Sequence, residues 1–213
     1  MDKPLLNILT RTSNRPKAFE LNKMTVRSQT YSNIRHIVCV DDELSENYVK
    51  QYNDVDYIAI DREEIIKEDN SVNPNTGKYS PHNLYFNKLM GEIKEGWVMI
   101  LDDDDRLSNS KSIEKIMDKL EGEDSMVVFQ MRFPNNRPIP ANGTLEQKPR
   151  LGNIGSPCVV FHSKHLEGVE CDGWKCGDFR FIEKIYNKMK TVSTIQQMLV
   201  TIGQIGDGNR GDL

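Results

Sequence analysis

No apolar run in the sequence approaches the ~18 residues a membrane span needs, and the N-terminus, MDKPLLNILTRTSNRP, lacks the basic start and apolar stretch of a signal peptide. Four cysteines, Cys39, Cys158, Cys171 and Cys176, are too few and too irregularly spaced for a disulfide framework, and no Cx2C pair points to structural zinc. They read as free thiols in a reducing compartment, so a cytoplasmic protein with no membrane span is expected and the sequon Asn142-Gly143-Thr144 goes unused. Nor is there an excess of basic residues. With 28 Lys and Arg against 32 Asp and Glu the net charge is −4, and no segment supplies the basic face that nucleic-acid binding requires. No internal repeat is visible.

What is present is the composition of an ordinary globular chain. Apolar residues make up 37% and charged residues 28% of the 213, enough for one well-buried α/β domain. Strands are expected over 5–10, 34–40, 56–60, 97–101, 125–132, 158–162 and 191–202. Helices are expected over 16–28, 45–52, 83–94, 112–120 and 179–189. The alternation predicts a mixed, mainly parallel central sheet flanked by helices. The stretch 70–81, crowded with Asn, Pro, Gly, Ser and Lys, reads as a functional or mobile loop. The glycine-rich residues 203–213 read as a tail or linker to further domains, leaving 1–202 as the folded unit.

The most informative segment is the apolar run Trp97-Val98-Met99-Ile100-Leu101, which feeds directly into Asp102-Asp103-Asp104-Asp105. A buried strand ending there puts carboxylates where open α/β sheets bind ligands. Four adjacent carboxylates repel one another, and a divalent cation with hard oxygen ligands relieves that repulsion while bridging to phosphate. The competing reading is a solvated acidic loop with Asp105 or Ser108 capping the next helix.

The order of these pieces resembles the GT-A glycosyltransferases, in particular the family 2-like group. The matching segments are Asn7-Ile8-Leu9-Thr10-Arg11-Thr12, Val38-Cys39-Val40-Asp41-Asp42, the Asn83 helix leading into Asp102–Asp105, and Gly173-Trp174-Lys175-Cys176-Gly177-Asp178-Phe179. Together they span about residues 5 to 190. The chain also looks like the first domain of multidomain glycosyltransferases encoded by chlorella viruses, which would place it in the host cytoplasm.

The resemblance implies a Rossmann-like nucleotide-binding single domain. Residues 1–105 form its nucleotide-sugar half and 106–202 its acceptor half. It implies a UDP-linked sugar donor held with Mn2+ or Mg2+, and transfer of a hexose or deoxyhexose, with inversion, to a hydroxyl of a glycan or glycoprotein. Asp104 matches the metal ligand and Asp102 the ribose or metal-shell contact. A shift of one residue would hand these roles to Asp103 and Asp105. Thr10 and Arg11, read as the loop after the first strand, match donor-contacting positions, as do Asp41, Asp42 and Asn83.

Where the family has two adjacent acids this chain has Gly177-Asp178, so only Asp178 carries over as catalytic base. Capping of the following helix is its competing role, and Asp172 and Glu170 are alternative bases. His162 could complete a metal shell, and Trp174 could stack on an acceptor sugar, while Trp97 opens a buried strand. Two other functions stay open, a non-catalytic metal- or sugar-binding module and a sugar-nucleotide pyrophosphorylase. The second would need a glycine-rich basic loop after the first strand, and Arg11-Thr12-Ser13-Asn14-Arg15-Pro16 has no glycine.

Overall fold

The apolar runs become strands that are buried on both faces, as the central strands of an α/β sheet must be. In the computed structural model, which describes residues 3–74 and 77–203, β1 (Leu6–Thr12), β2 (Ile34–Val40), β3 (Asp56–Ala59) and β4 (Trp97–Ile100) pair in parallel in the order β3–β2–β1–β4. Helices α1 (Pro16–Arg27), α2 (Glu43–Val49), α3 (Arg62–Glu68) and α4 (Tyr85–Gly91) fill the connections. The second half comprises β5 (Arg106–Leu107), α5 (Ser112–Met117), β6 (Ser125–Arg132), β7 (Pro138–Ile139), β8 (Val159–His162), α6 (Gly177–Tyr186) and β9 (Thr191–Thr201).

Strand β8 lies antiparallel between β4 and β6, β9 runs parallel to β6, and β5 and β7 pair antiparallel with β9 and β6. One mixed sheet results, β3-β2-β1-β4-β8-β6-β9-β5, with its longest pairings parallel. Its core holds Leu6, Ile8, Leu9, Val98, Met99, Met126, Phe129 and Phe161. Each such side chain contributes roughly 1.5–3 kcal/mol by leaving water. Among the described residues no helix is long and apolar enough to cross a membrane. Of the expected tail, 203–213, everything beyond Gly203 lies outside the described residues.

Three local differences from the sequence expectation matter for the site. First, β1 runs two residues further than 10, because Arg11 and Thr12 continue the pairing with Cys39 and Val40 of β2. Thr10 and Arg11 are therefore strand residues, and alternation sends their side chains to opposite faces. Second, α3 forms where none was expected, capped by Asp61, whose carboxylate accepts from the N–H groups of Glu63 at 2.8 Å and Glu64 at 3.3 Å. Third, the helix expected over 83–94 is a 3-10 turn, Pro81–Leu84, running into the shorter α4.

Candidate active site at the strand ends

The chain passes from β1 outward through β2 and β3, then returns to the other side of β1 as β4. The reversal leaves a crevice beyond the strand ends, the usual ligand position in such sheets. A cleft of about 660 Å³ occupies it. Arg11, Thr12, Ser13 and Arg15 line it from β1 and the turn after it, Asp41 from the end of β2, Asp102–Asp105 from the turn after β4, and Asp178 from α6.

Within Asp102–Asp105 burial alternates. Asp102 and Asp104 are half-buried, whereas Asp103 and Asp105 are 2% and 3% exposed. Asp102 pairs with Arg11, whose Nη2 donates to Oδ2 at 3.0 Å while Nε lies 2.9 Å from Oδ1 as an ion pair; Oδ1 is buried and accepts no hydrogen bond. The guanidinium also donates to the His82 carbonyl at 2.8 Å and lies 4.7 Å from the Phe86 ring centre. Its pKa is raised, burial being outweighed by the charge of Asp102 and the hydrogen bond to it.

Asp103 turns inward, accepting from Thr12 Oγ1 at 2.8 Å and pairing with Arg15 at 3.1 Å. Burial pushes its pKa up to about 7. Asp105 accepts from the Gly203 N–H at 3.2 Å, and burial raises its pKa, reinforced by Asp102 and Asp104. The turn itself is fixed by Asn22, whose amide donates to the carbonyls of Asp102 and Asp105.

The other donor-side candidates divide. Asp41 faces the cleft with its side chain 1% exposed, accepting from Tyr85 Oη at 2.7 Å, with Arg62 at 3.8 Å. Asp42 caps α2 through Ser45 N at 2.8 Å and also accepts from the Ser13 hydroxyl. Its pKa is lowered, the hydrogen bonds from Ser45 outweighing burial. Thr10 is fully buried and does not line the cleft. Its hydroxyl donates to the Leu101 carbonyl at 2.7 Å and sits 2.9 Å from His36 Nε2. Asn83 is buried and donates to the Trp174 carbonyl, tying the 3-10 turn to the loop before α6.

On the acceptor side, α6 begins at Gly177, so Asp178 is its second residue. The cap position falls to Cys176, at φ 64°, with no side-chain bond. Asp178 therefore does not hold the cap position, although its carboxylate accepts from the Phe179 N–H in the first turn. Burial raises its pKa, opposed by the N–H of Phe179 and the charge of Arg11. Its predecessor must be small, because a Cβ on Gly177 would lie 2.5 Å from the Asp172 carbonyl oxygen. That contact explains why an acidic pair is missing here.

Asp172 is held by Arg180 from Nε at 2.7 Å and from Nη2, and lies outside the cleft with Glu170. Its pKa is lowered, the Arg180 bond overriding burial. Trp174 stacks edge-on against Tyr79 at 5.1 Å and donates to the Ser71 carbonyl, pinning part of the 70–81 loop instead of lining the cleft. His162 pairs with Trp97 at the start of β4, because β8 runs antiparallel to it. It sits at the opposite end of that strand from Asp102 and cannot share an ion with it. All four cysteines are free, three of them buried.

Sequence reasoning passed over Thr12, Ser13, Arg15, Arg62 and Tyr85, all of which line the cleft. Extending β1 by two residues would have brought in Thr12, which reaches the cleft because it ends the strand and not through its face, which it shares with the buried Thr10. Nothing local in the sequence marks Arg62 or Tyr85. Among the described residues no three His, Cys, Asp or Glu side chains gather into a protein-only metal cage. The carboxylate oxygens at the β4 end instead suit a hard cation held by one or two carboxylates and completed by phosphate and water.

No protein-family model matches the chain, and no curated protein sequence does. Solved structures do match. TarS of S. aureus, residues 1–349, in complex with UDP-GlcNAc, is similar with a TM-score of 0.68 at 15% identity, over 97% of this chain and 60% of that one. The mannosyltransferase PcManGT from Pyrobaculum calidifontis, in complex with GDP-Man and Mn2+, gives 0.62 at 13% identity, over 98% and 59%. The chain thus spans about 60% of the length of these solved chains. What is shared at such identity is the fold, the GT-A-like mixed α/β sheet with flanking helices.

Proposed function

We propose that the chain is a glycosyltransferase domain that moves a hexose or deoxyhexose from a nucleoside-diphosphate sugar, UDP-linked, to an acceptor hydroxyl with inversion. The observation that carries this reading is that the two more exposed carboxylates after β4, Asp102 and Asp104, share one cleft with Asp178, a buried carboxylate of raised pKa on another element. The alternating burial favours Asp102 and Asp104, over Asp103 and Asp105, as the donor-side pair. The fold shared with a UDP-GlcNAc complex and with a GDP-Man and Mn2+ complex adds support.

On this reading Asp41 receives an N–H of the base or a ribose hydroxyl, with Tyr85 fixing its carboxylate. Arg11 and Arg15 set positive charge beside the diphosphate. A divalent ion held by Asp102 and Asp104, when bound, offsets the charge that develops on the leaving diphosphate. The acceptor oxygen attacks C1 from the opposite face. Its O–H proton passes to Asp178, the C1–O bond to phosphate breaks, and the electron pair leaves with the diphosphate. A carboxylate whose pKa is raised by burial is a stronger base than one in water.

The test is incubation with a panel of UDP-, GDP- and dTDP-sugars plus Mn2+ and saccharide acceptors, reading transfer and donor hydrolysis, beside thermal shifts for each donor. Donor-dependent stabilisation with turnover is expected. Stabilisation without turnover of any donor would leave a sugar-binding module, and no stabilisation by any nucleotide would end the donor-site reading.

A further inference from the structure

Arg11 is the unusual element of the cleft. It stands near the end of β1, across the crevice from the end of β4, and its guanidinium lies against both oxygens of Asp102, Nη2 donating to Oδ2 at 3.0 Å and Nε 2.9 Å from Oδ1. It is not a loosely placed surface arginine. The His82 carbonyl and the Phe86 ring hold it from the other side, and each partner of the pair has a side chain only 21% exposed. A planar fork matched to a carboxylate and restrained from behind forgoes little entropy to make the pair. Oδ2 is thereby engaged and the charge of Asp102 is offset, while Oδ1, buried beside the guanidinium, accepts no hydrogen bond.

We infer that Arg11 acts as a built-in competitor of the metal ion, so that the ion binds Asp102 only in company with a diphosphate. This rests on the donor-site reading above. A divalent ion on Asp102 of the free protein either displaces the guanidinium, leaving it half-buried without its counter-charge, or sits on Oδ1 against a fixed positive charge. Both are unfavourable. A diphosphate alters both sides of that exchange. It brings oxygens that complete the shell of the ion, and it offers Arg11 a second anion suited to its fork. Nucleotide and ion should therefore bind with positive coupling, each raising the affinity of the other by the same factor. Arg11 is a positioning residue here. Its effect runs through Asp102, and its signature is an affinity that rises when it is removed, which a damaged fold does not produce.

The experiment is a titration of free Mn2+ by electron paramagnetic resonance on the full chain, with and without UDP, for wild type, Arg11→Met and Arg11→Lys. Wild type is expected to bind Mn2+ weakly alone and at least roughly tenfold more tightly with UDP, the scale of one charge-assisted pair. Arg11→Met should bind Mn2+ alone roughly tenfold more tightly than wild type, shrinking the UDP effect. Arg11→Lys, which keeps a charge but not the fork, should fall between them and decides the matter if the methionine variant does not fold. Affinity for Mn2+ alone that is unchanged or lower in the folded variants overturns the inference while leaving the metal-dependent reading intact. Failure of wild type to bind Mn2+ even with UDP overturns both.

Discussion

Gly177 and Asp172 approach so closely that a Cβ on the glycine would stand 2.5 Å from the carbonyl oxygen of the aspartate. This contact sets where α6 begins, and hence where Asp178 enters the cleft. Gly177→Ala must push the Asp172 loop away from the helix. A loss of about 1–3 kcal/mol is expected, the range for overpacking a tight site, read as a lower urea midpoint. An unchanged midpoint would mean that the loop yields freely and that the glycine is not required.

Asp178→Asn separates base chemistry from donor binding. Transfer should fall by roughly 10² to 10⁴, the range for a lost general base, while calorimetric UDP affinity with Mn2+ stays near wild type. The folded pKa of Asp178 is raised by burial, so the wild-type rate should fall with decreasing pH at a value above the ordinary carboxylate range. In the asparagine variant that limb should vanish from the residual rate. Normal transfer would remove Asp178 from the chemistry, and a parallel drop in UDP affinity would move it into the donor pocket.

Asp104→Ala should abolish Mn2+-supported transfer, as should chelation in the wild type, because one of the two more exposed carboxylates after β4 is gone. Stability should change by no more than roughly 1 kcal/mol, the scale of changes at half-exposed positions. Full activity of this variant in chelator would sink the metal reading.

His36 gives a prediction about acid stability. The Thr10 hydroxyl donates to the Leu101 carbonyl, so it accepts from His36 Nε2–H, leaving Nδ1 buried without a partner. A second proton there has no acceptor. Burial, with Lys23 nearby, lowers the pKa to about 3, whereas the unfolded residue titrates near ~6.5. Between those values the unfolded chain binds the extra proton, so stability falls as pH drops through that window by up to roughly 1.4 kcal/mol per unit. His36→Gln keeps a donor for Thr10 and should flatten that dependence from pH 6.5 to 4, measured by urea unfolding at each pH. Equal slopes for variant and wild type would show that His36 is protonated in the fold.

The sheet and the cleft were legible from the sequence to the extent that local pattern determines them. Apolar runs such as Trp97–Leu101 have no soluble alternative to a central strand, and carboxylates placed directly after one must lie at a sheet edge. α3 was also readable in hindsight, since Asp61-Arg62-Glu63-Glu64 is a cap followed by an acidic first turn. Other features depend on contacts between distant residues. Thr10 and Arg11 differ by one position, yet one bonds within the sheet and the other faces the cleft, because β2 extends β1 past the point where its own pattern weakens. Trp174 against Tyr79, and Asp172 against Arg180, depend on how two loops meet, and no periodicity records that.

Strand β8 has a mechanical consequence. It joins the two halves of the chain by pairing with β4 through Val98 and Phe161 on one side and with β6 through Val127 and Val160 on the other, all deeply buried. Opening the cleft by swinging one half away would tear a hydrogen-bonded ladder and expose the centre of the core. The aspartate turn and the base of α6 are thus mounted on one plate and keep their spacing. Any closure over a bound donor has to come from the loops above the strand ends, with no hinge between the halves.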